Sequence, residues 1–143
     1  MIFDNSQLLF SNDQAVTVTA ISTNVVQWNA MGTVYDHAAA LTRDIGDGNP
    51  VPLLVQVTTA FATLTSLTIT LESADNAALS TNAVVHWSSG AIAVADLVAG
   101  KQVPIRFLPK DIEKLYLGLR YTVTGTTATA GAIRAGIVAG IQS

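Results

Sequence analysis

Along most of the chain hydrophobic and polar residues alternate with a period of two, and Val, Ile and Leu fill the hydrophobic positions, as in strands with one buried face. The segment 66–72 is the clearest case: Leu67, Ile69 and Leu71 alternate with Ser66, Thr68, Thr70 and Glu72. In 53–59, Leu53, Val55 and Val57 point one way and Gln56 and Thr58 the other. In 15–21, Val16 and Val18 oppose Thr17 and Thr19, and 24–28 follows closely enough to form a short hairpin with it. The pattern in 82–88 predicts Val85 and Trp87 inside, with Val84 and His86 opposite. In 101–108 it predicts Val103, Ile105 and Phe107 inside and Arg106 outside. Pro104 puts that strand at an edge or a bulge, because it has no N–H to give to a ladder. Two later segments complete the set. One is 115–123, with Leu115, Leu117, Leu119, Tyr121 and Val123 on one face. The other is 133–141, with Ile133, Ala135, Ile137, Ala139 and Ile141 on one face and Gly136 and Gly140 on the other. No segment carries the period of a long helix; 74–80 and 109–114 each have room for one turn.

Seven to nine short strands joined by loops of varied length predict an all-β fold of two packed sheets, either a sandwich or a closed barrel. Periodicity alone does not separate a jelly roll, an immunoglobulin-like sandwich and a small barrel, although the missing Cys-Trp-Cys framework disfavours the immunoglobulin type. A chain of 143 residues fits one domain, 1–143. Two stretches escape the alternation. In 1–14, Ile2, Phe3, Leu8, Leu9 and Phe10 are apolar without a strand pattern. Leaving them exposed would forfeit roughly 1.5–3 kcal/mol each, so 1–14 is expected to dock as an arm. The segment 29–50 is a loop of about 20 residues, longer than most connections in a compact domain. The uncharged segment 122–131 reads either as a flexible connector or as an extension lying flat on a partner, where small side chains let backbones approach.

Composition sharpens this picture on the outside of the molecule. Half the residues are hydrophobic and 12% are charged, about half the usual charged share. Such a chain has ample apolar surface to bury and is not expected to be disordered. Its surface must be Thr, Ser, Ala, Gly and Asn, or be partly covered by other protein. A net charge of -3 argues against a nucleic-acid groove, which rests on cationic neutralisation of phosphates. Without Cys there is no disulfide framework and no thiolate chemistry. The opening residues carry Asp4 and Asp13 but no Lys or Arg, unlike a secretory leader. No apolar run reaches the about 18 residues of a membrane span.

Candidate chemistry is sparse. His37 follows Asp36 in the long loop and His86 lies in a strand, far from it in sequence. A metal centre needs three or four converging ligands. Asp44, Asp47 and Asp36, with Gly46 and Gly48, look superficially like a calcium loop. They lack the EF-hand spacing and its closing Glu, so tight turns explain them better. No Gly-x-Ser-x-Gly elbow supports a hydrolase and no glycine motif leads into a phosphate-binding Lys. The reading therefore assigns no catalytic, cofactor or metal site and expects no enzyme.

With these segments in view the chain resembles the phage capsid cement (decoration) proteins typified by the one of Bordetella phage. The matching stretches are Phe3-Asp4-Asn5, Leu9-Phe10-Ser11 through Gln14-Ala15-Val16-Thr17, and Arg43-Asp44-Ile45-Gly46 with Gly48 and Pro50. They continue with Val57-Thr58-Thr59-Ala60-Phe61, Ser89-Gly90-Ala91-Ile92, 97–100, and Tyr121-Thr122-Val123-Thr124-Gly125-Thr126 with Gly131 beyond. Their order, spacing and total length carry the resemblance. Trp28, Asn29 and Asn49 depart from it locally. The resemblance implies a jelly-roll-like β sandwich that binds the outer surface of an icosahedral capsid as a small homo-oligomer, contacts the major capsid protein and clamps neighbouring capsomers.

Both lines lead to the same expectation: a virion structural protein that needs area and copy number rather than chemistry, and contacts neither nucleic acid nor membrane. A homo-oligomer is expected, a dimer slightly before a trimer, with the face of Gly136, Val138 and Gly140 as its contact. Ile2, Phe3, Leu8, Leu9 and Phe10 in the arm are further interface candidates, as are Arg43, Asp44 and Asp47 in the loop. The alternative is a carbohydrate- or receptor-binding sandwich, which would need exposed aromatics such as Trp28 and Tyr35 around a groove.

Overall fold

A computed structural model of the chain describes residues 8–27, 32–33, 35–39, 48, 50–110 and 112–140. Six strands form one antiparallel sheet: β1 (Leu9–Ala15), β2 (Ala20–Ile21), β3 (Val26–Gln27), β4 (Leu53–Ala74), β5 (Val84–Ala93) and β6 (Tyr116–Ile137). The order is β1-β6-β4-β5, and β2 and β3 also pair with β6. The expected all-β class holds; the described residues form one six-stranded sheet, not the seven to nine short strands that alternation predicts.

The difference arises where the sequence changes parity. Segments 53–59 and 66–72 are two halves of the single strand β4, and 115–123 and 133–141 fall largely within the single strand β6. The uncharged stretch 122–131 is neither a connector nor an extension but the middle of β6. The inward residues of β4 step from Val57 to Phe61, Leu64 and Leu67, so the alternation slips and then recovers. Bulges cause this slip. The register shifts repeatedly between Val57 and Ser66, yet Leu53 opposite Ile137 and Ala74 opposite Tyr116 belong to the same register. Both strands thus absorb their extra residues in the middle.

A straight strand of 22 residues would be about 70 Å long, whereas a domain of this size has a radius of gyration of about 15 Å. The ribbon must bend, and bulges are the usual means. Ser11 shows how far it bends. It lies opposite Ala135 in the distal half of β6, yet its hydroxyl is 2.7 Å from the Tyr121 hydroxyl in the proximal half. Extended chain would separate Tyr121 from Ala135 by about 45 Å. The two halves of β6 therefore double back over a common core, to which Phe10, Val55, Val57, Leu67, Ile69, Leu119, Tyr121 and Ile133 all contribute.

The N-terminal ribbon also corrects the sequence reading. Residues 9–15 form β1, with Leu9 and Phe10 buried, so this part of 1–14 belongs to the body and not to an arm. The expected hairpin between 15–21 and 24–28 is absent: β2 and β3 each pair with β6 instead. Val18 is exposed, because 16–19 bends where β6 is bulged. Asn24 ties this ribbon back to β1, its backbone N–H donating to Phe10 O and its side chain to Leu9 O.

On the far side of the sheet β5 is bulged as well, which leaves Val84 and Val85 exposed and Trp87 half-buried against the core, not the expected Val85-Trp87 face. The segment 97–108 then runs along the first half of β4. Val57 N–H donates to Lys101 O, Val103 N–H to Val55 O and Leu53 N–H to Arg106 O. Only isolated bridges form, at Gln102 and Phe107, as expected for a strand broken by Pro104. Val103, Ile105 and Leu108 are buried while Phe107 faces out, so the expected alternation fails at its last step. A single 3-10 turn at Val94–Asp96 is the helical element among the described residues; 74–80 ends β4 and enters a hydrogen-bonded turn instead.

Candidate interface surfaces

The residues expected at interfaces fall into three groups. Ile2, Phe3, Arg43, Asp44 and Asp47 lie outside the described residues. Leu9, Phe10, Gly136 and Val138 are already covered by their own chain. Phe10 belongs to the core, and Leu9 packs on Gly136 so closely that a side chain there would collide with it. Val138 is only 2% exposed, and its N–H donates to Pro52 O. The proposed Gly136-Val138-Gly140 face thus has little left to offer a second copy: alternation made Gly136 and Val138 look free, but β1 and the start of β4 cover them. Leu8 is half-buried and Gly140 is exposed, with open space around its α-carbon.

Among the described residues no three His, Cys, Asp or Glu side chains come together as metal ligands. His86 lies against the hydroxyl of the buried Ser73, 2.6 Å from its Nε2, and desolvation holds its pKa below the ordinary value. His37 and Tyr35 are exposed, and Trp28 lies outside the described residues. The paired aromatics that a carbohydrate groove would need are not assembled by what is described.

The bend of the sheet is a surface that alternation did not reveal. Thr63 sits at its centre with a φ of +74°, where a β-branched residue is strained. Its hydroxyl replaces the ladder bonds that the bulge breaks: it accepts from Thr129 N–H and lies 2.8 Å from Thr127 O. The Thr126 hydroxyl in turn donates to Thr63 O. The neighbouring ribbon joins the bend through Val16 N–H to Gly131 O and Ala128 N–H to Thr17 O. The exposed side chains here include Thr17, Val18, Thr19, Thr59, Thr63, Thr65, Thr124, Thr126, Thr127 and Thr129. None is charged, and no Lys, Arg, Asp or Glu occurs in 14–35, 48–71 or 121–133.

Charge lies elsewhere, and three ion pairs among the described residues neutralise part of it. The Glu72 carboxylate, 6% exposed, accepts from Arg120 Nε at 2.9 Å and from the Thr70 hydroxyl at 2.7 Å. Arg120 Nη2 also donates to Leu79 O, pinning the turn after β4 onto the sheet. Leu79 lies over Gly118, where a β-carbon would meet it. Lys114 pairs with Asp75 and Arg134 with Asp13.

The described surface offers large neutral areas on a hydrogen-bonded scaffold, with ion pairs that hold turns in place. No curated protein matches the chain. A protein-family model does, that of Bbp16, over residues 10–137, which takes in every strand but the first residue of β1. The chain belongs to the Bbp16 family, the cement proteins of Bordetella phage, and is a structural, capsid-associated virion protein and not an enzyme.

Proposed function

We propose that this protein binds the outer surface of an icosahedral phage shell and cements neighbouring capsomers through contacts with the major capsid protein. The observation that carries the reading is the family match over 10–137. The physics of the surface supports it. Cementing needs many modest contacts whose effects add by avidity across a symmetric shell. A surface with few charges is covered without stranding ions, each of which would cost several kcal/mol. The neutral bend around Thr63, with Val18 exposed beside it, suits such a contact.

The finer architecture belongs to the same proposal. Each long ribbon counts twice, once on either side of the bend. The sheet then folds into two facing layers in the manner of a jelly roll, closed on one side by the Asn24 bonds to β1. A homo-oligomer, dimer before trimer, completes the unit on the shell. Ile2, Phe3 and Leu8 in the arm, Arg43, Asp44 and Asp47 in the loop, and Gly140 are its remaining candidate contacts.

The test is binding of purified protein to undecorated shells, with the heat resistance of decorated and bare shells compared. Saturable binding and a higher shell melting temperature are expected. A protein that neither binds nor stabilises shells would overturn the reading. Light scattering in free solution decides the oligomeric state, and a monomer there and on the particle would remove the oligomer from the proposal.

A further inference from the structure

Two cations stand apart from the pattern of neutralised charge. Arg120, Lys114 and Arg134 each hold a described carboxylate, whereas Lys101 and Arg106 form no ion pair with one. Both are exposed on the 97–108 segment at the edge of the sheet. Lys101, Arg106 and Lys110 are three of the seven Lys and Arg residues of the chain, and no acidic residue interrupts that stretch. Apolar surface accompanies them: Phe107 is 48% exposed and Val98 53%. The backbone here is fixed by its bonds to β4, and Val103, Ile105 and Leu108 anchor it in the core. The strip is thus presented on a rigid support, which lowers the ordering cost of binding.

We infer that this edge strip, with Lys101, Arg106 and Phe107, docks an acidic segment of the capsid subunit; the inference rests on the capsid-binding role proposed above. Charge complementarity names the occupant, since Lys101 and Arg106, which pair with no described carboxylate, lead a carboxylate-bearing partner here in a chain of net charge -3. A guanidinium grips a carboxylate through two parallel hydrogen bonds, and the exposed Phe107, next to Arg106 in the chain, supplies the apolar anchor typical of energetically dominant contacts. Side chains must carry the contact, because Pro104 has no N–H and interrupts any ladder that a partner strand would add. A second copy of the chain is a poor occupant: a two-fold contact through the strip would set its cations against their own images. Nucleic acid is a poor one too, because a few cations on an acidic protein neutralise few phosphates.

The test measures binding to undecorated shells across a range of NaCl for wild type, the double variant Lys101→Gln/Arg106→Gln, Phe107→Ser, and the charge-conserving Lys101→Arg. Expected is a loss of about tenfold or more in affinity for the double variant, with a flatter salt response, unchanged melting temperature and unchanged oligomeric state. Phe107→Ser should also weaken binding, and Lys101→Arg should match wild type. Wild-type binding that ignores salt, or a double variant that binds as well as wild type, would overturn the inference and leave the capsid role standing. A change of oligomeric state instead would reassign the strip to self-contact, and salt-sensitive binding to free DNA would reassign it to nucleic acid. Failure of wild type to bind shells at all would overturn the capsid role itself.

Discussion

Three single residues carry much of the bend. Gly131 has a φ of +142°, and a β-carbon there would drive into the Phe61 ring. Gly131→Ala should therefore cost about 2–4 kcal/mol, read as a lower denaturation midpoint, from backbone strain and overpacking together. Thr63→Val keeps shape but loses the hydroxyl that bridges the bulge, and should cost about 1–3 kcal/mol by the same measurement. If Thr63→Val melts like wild type, the hydroxyl network is ornamental. Tyr121 is wholly buried, and burial raises its pKa well above the ordinary value. A group raised in the folded state contributes stability that is present below its unfolded pKa and lost as pH climbs above it. Stability should thus fall at alkaline pH from about 10 upward, and Tyr121→Phe should flatten that fall while removing the link to Ser11. His86 has the opposite sense. Desolvation lowers its pKa, so its contribution is present above about 6.5 and lost as pH drops below that value. A melting temperature against pH whose shallow acid slope survives His86→Gln would place that slope on other groups.

At the scale of elements, the turn after β4 and the N-terminal ribbon are each held by one polar network. Glu72 accepts from Arg120 and Thr70, and Arg120 reaches Leu79 O, so strand and turn share one ion pair. The Glu72 side chain is nearly closed off while Arg120 keeps some water. Glu72→Ala should cost about 2–4 kcal/mol, less than for a pair buried on both sides, because solvent screens the stranded guanidinium. The turn 75–83 should then show faster amide exchange than the strands it joins. In the N-terminal ribbon, Gln14 Nε2 donates to Ile21 O while its Oε1 accepts from Ser11 and from Thr23 N–H. One side chain thus links β1, the end of β2 and the turn beyond it. Strand β1 is part of the body, which separates two truncations. Removing residues 1–8 takes away Leu8 O, the acceptor of Ile137 N–H, but leaves Phe10 in the core, so it should cost less than the deeper cut. Removing 1–10 should lower stability by about 3 kcal/mol or more, because Phe10 leaves the core. Equal melting of the two would mean that Phe10 is dispensable.

At the scale of the molecule, the bends of β4 and β6 turn one sheet into a body with a core. Val55 and Val57 from one half of the ribbon and Leu67, Ile69 and Leu71 from the other enter the same cluster. The described outside is consequently divided: a neutral Thr-rich bend, a strip whose Lys101 and Arg106 pair with no described carboxylate, and three ion pairs elsewhere. This division suits a protein whose work is to be covered by others. A contact through the bend buries hydroxyls that find partners readily, and one through the strip adds orientation through charge. A contact through the strip should respond to salt and one through the neutral bend should not, so the salt dependence of shell binding separates the two contributions.

Local alternation and composition by themselves determined that the chain is all-β, which residues of 53–57, 67–71 and 117–121 face the core, and that the molecule has little chemistry to perform. These follow from the two-residue period and from the scarcity of titratable groups, both local properties. The order and spacing of the segments were also enough for the family resemblance. Tertiary structure alone decided that pairs of short patterns are single 22-residue strands, because the bulges that interrupt the alternation look like loops until their partners are known. It also decided that β2 and β3 pair with β6 and not with each other, that Gly136 and Val138 are covered, and that Phe107 faces out beside Arg106. Each of these depends on contacts between residues far apart in the chain. A period of two tells which residues share a face, but only the register and the bend decide what lies against that face.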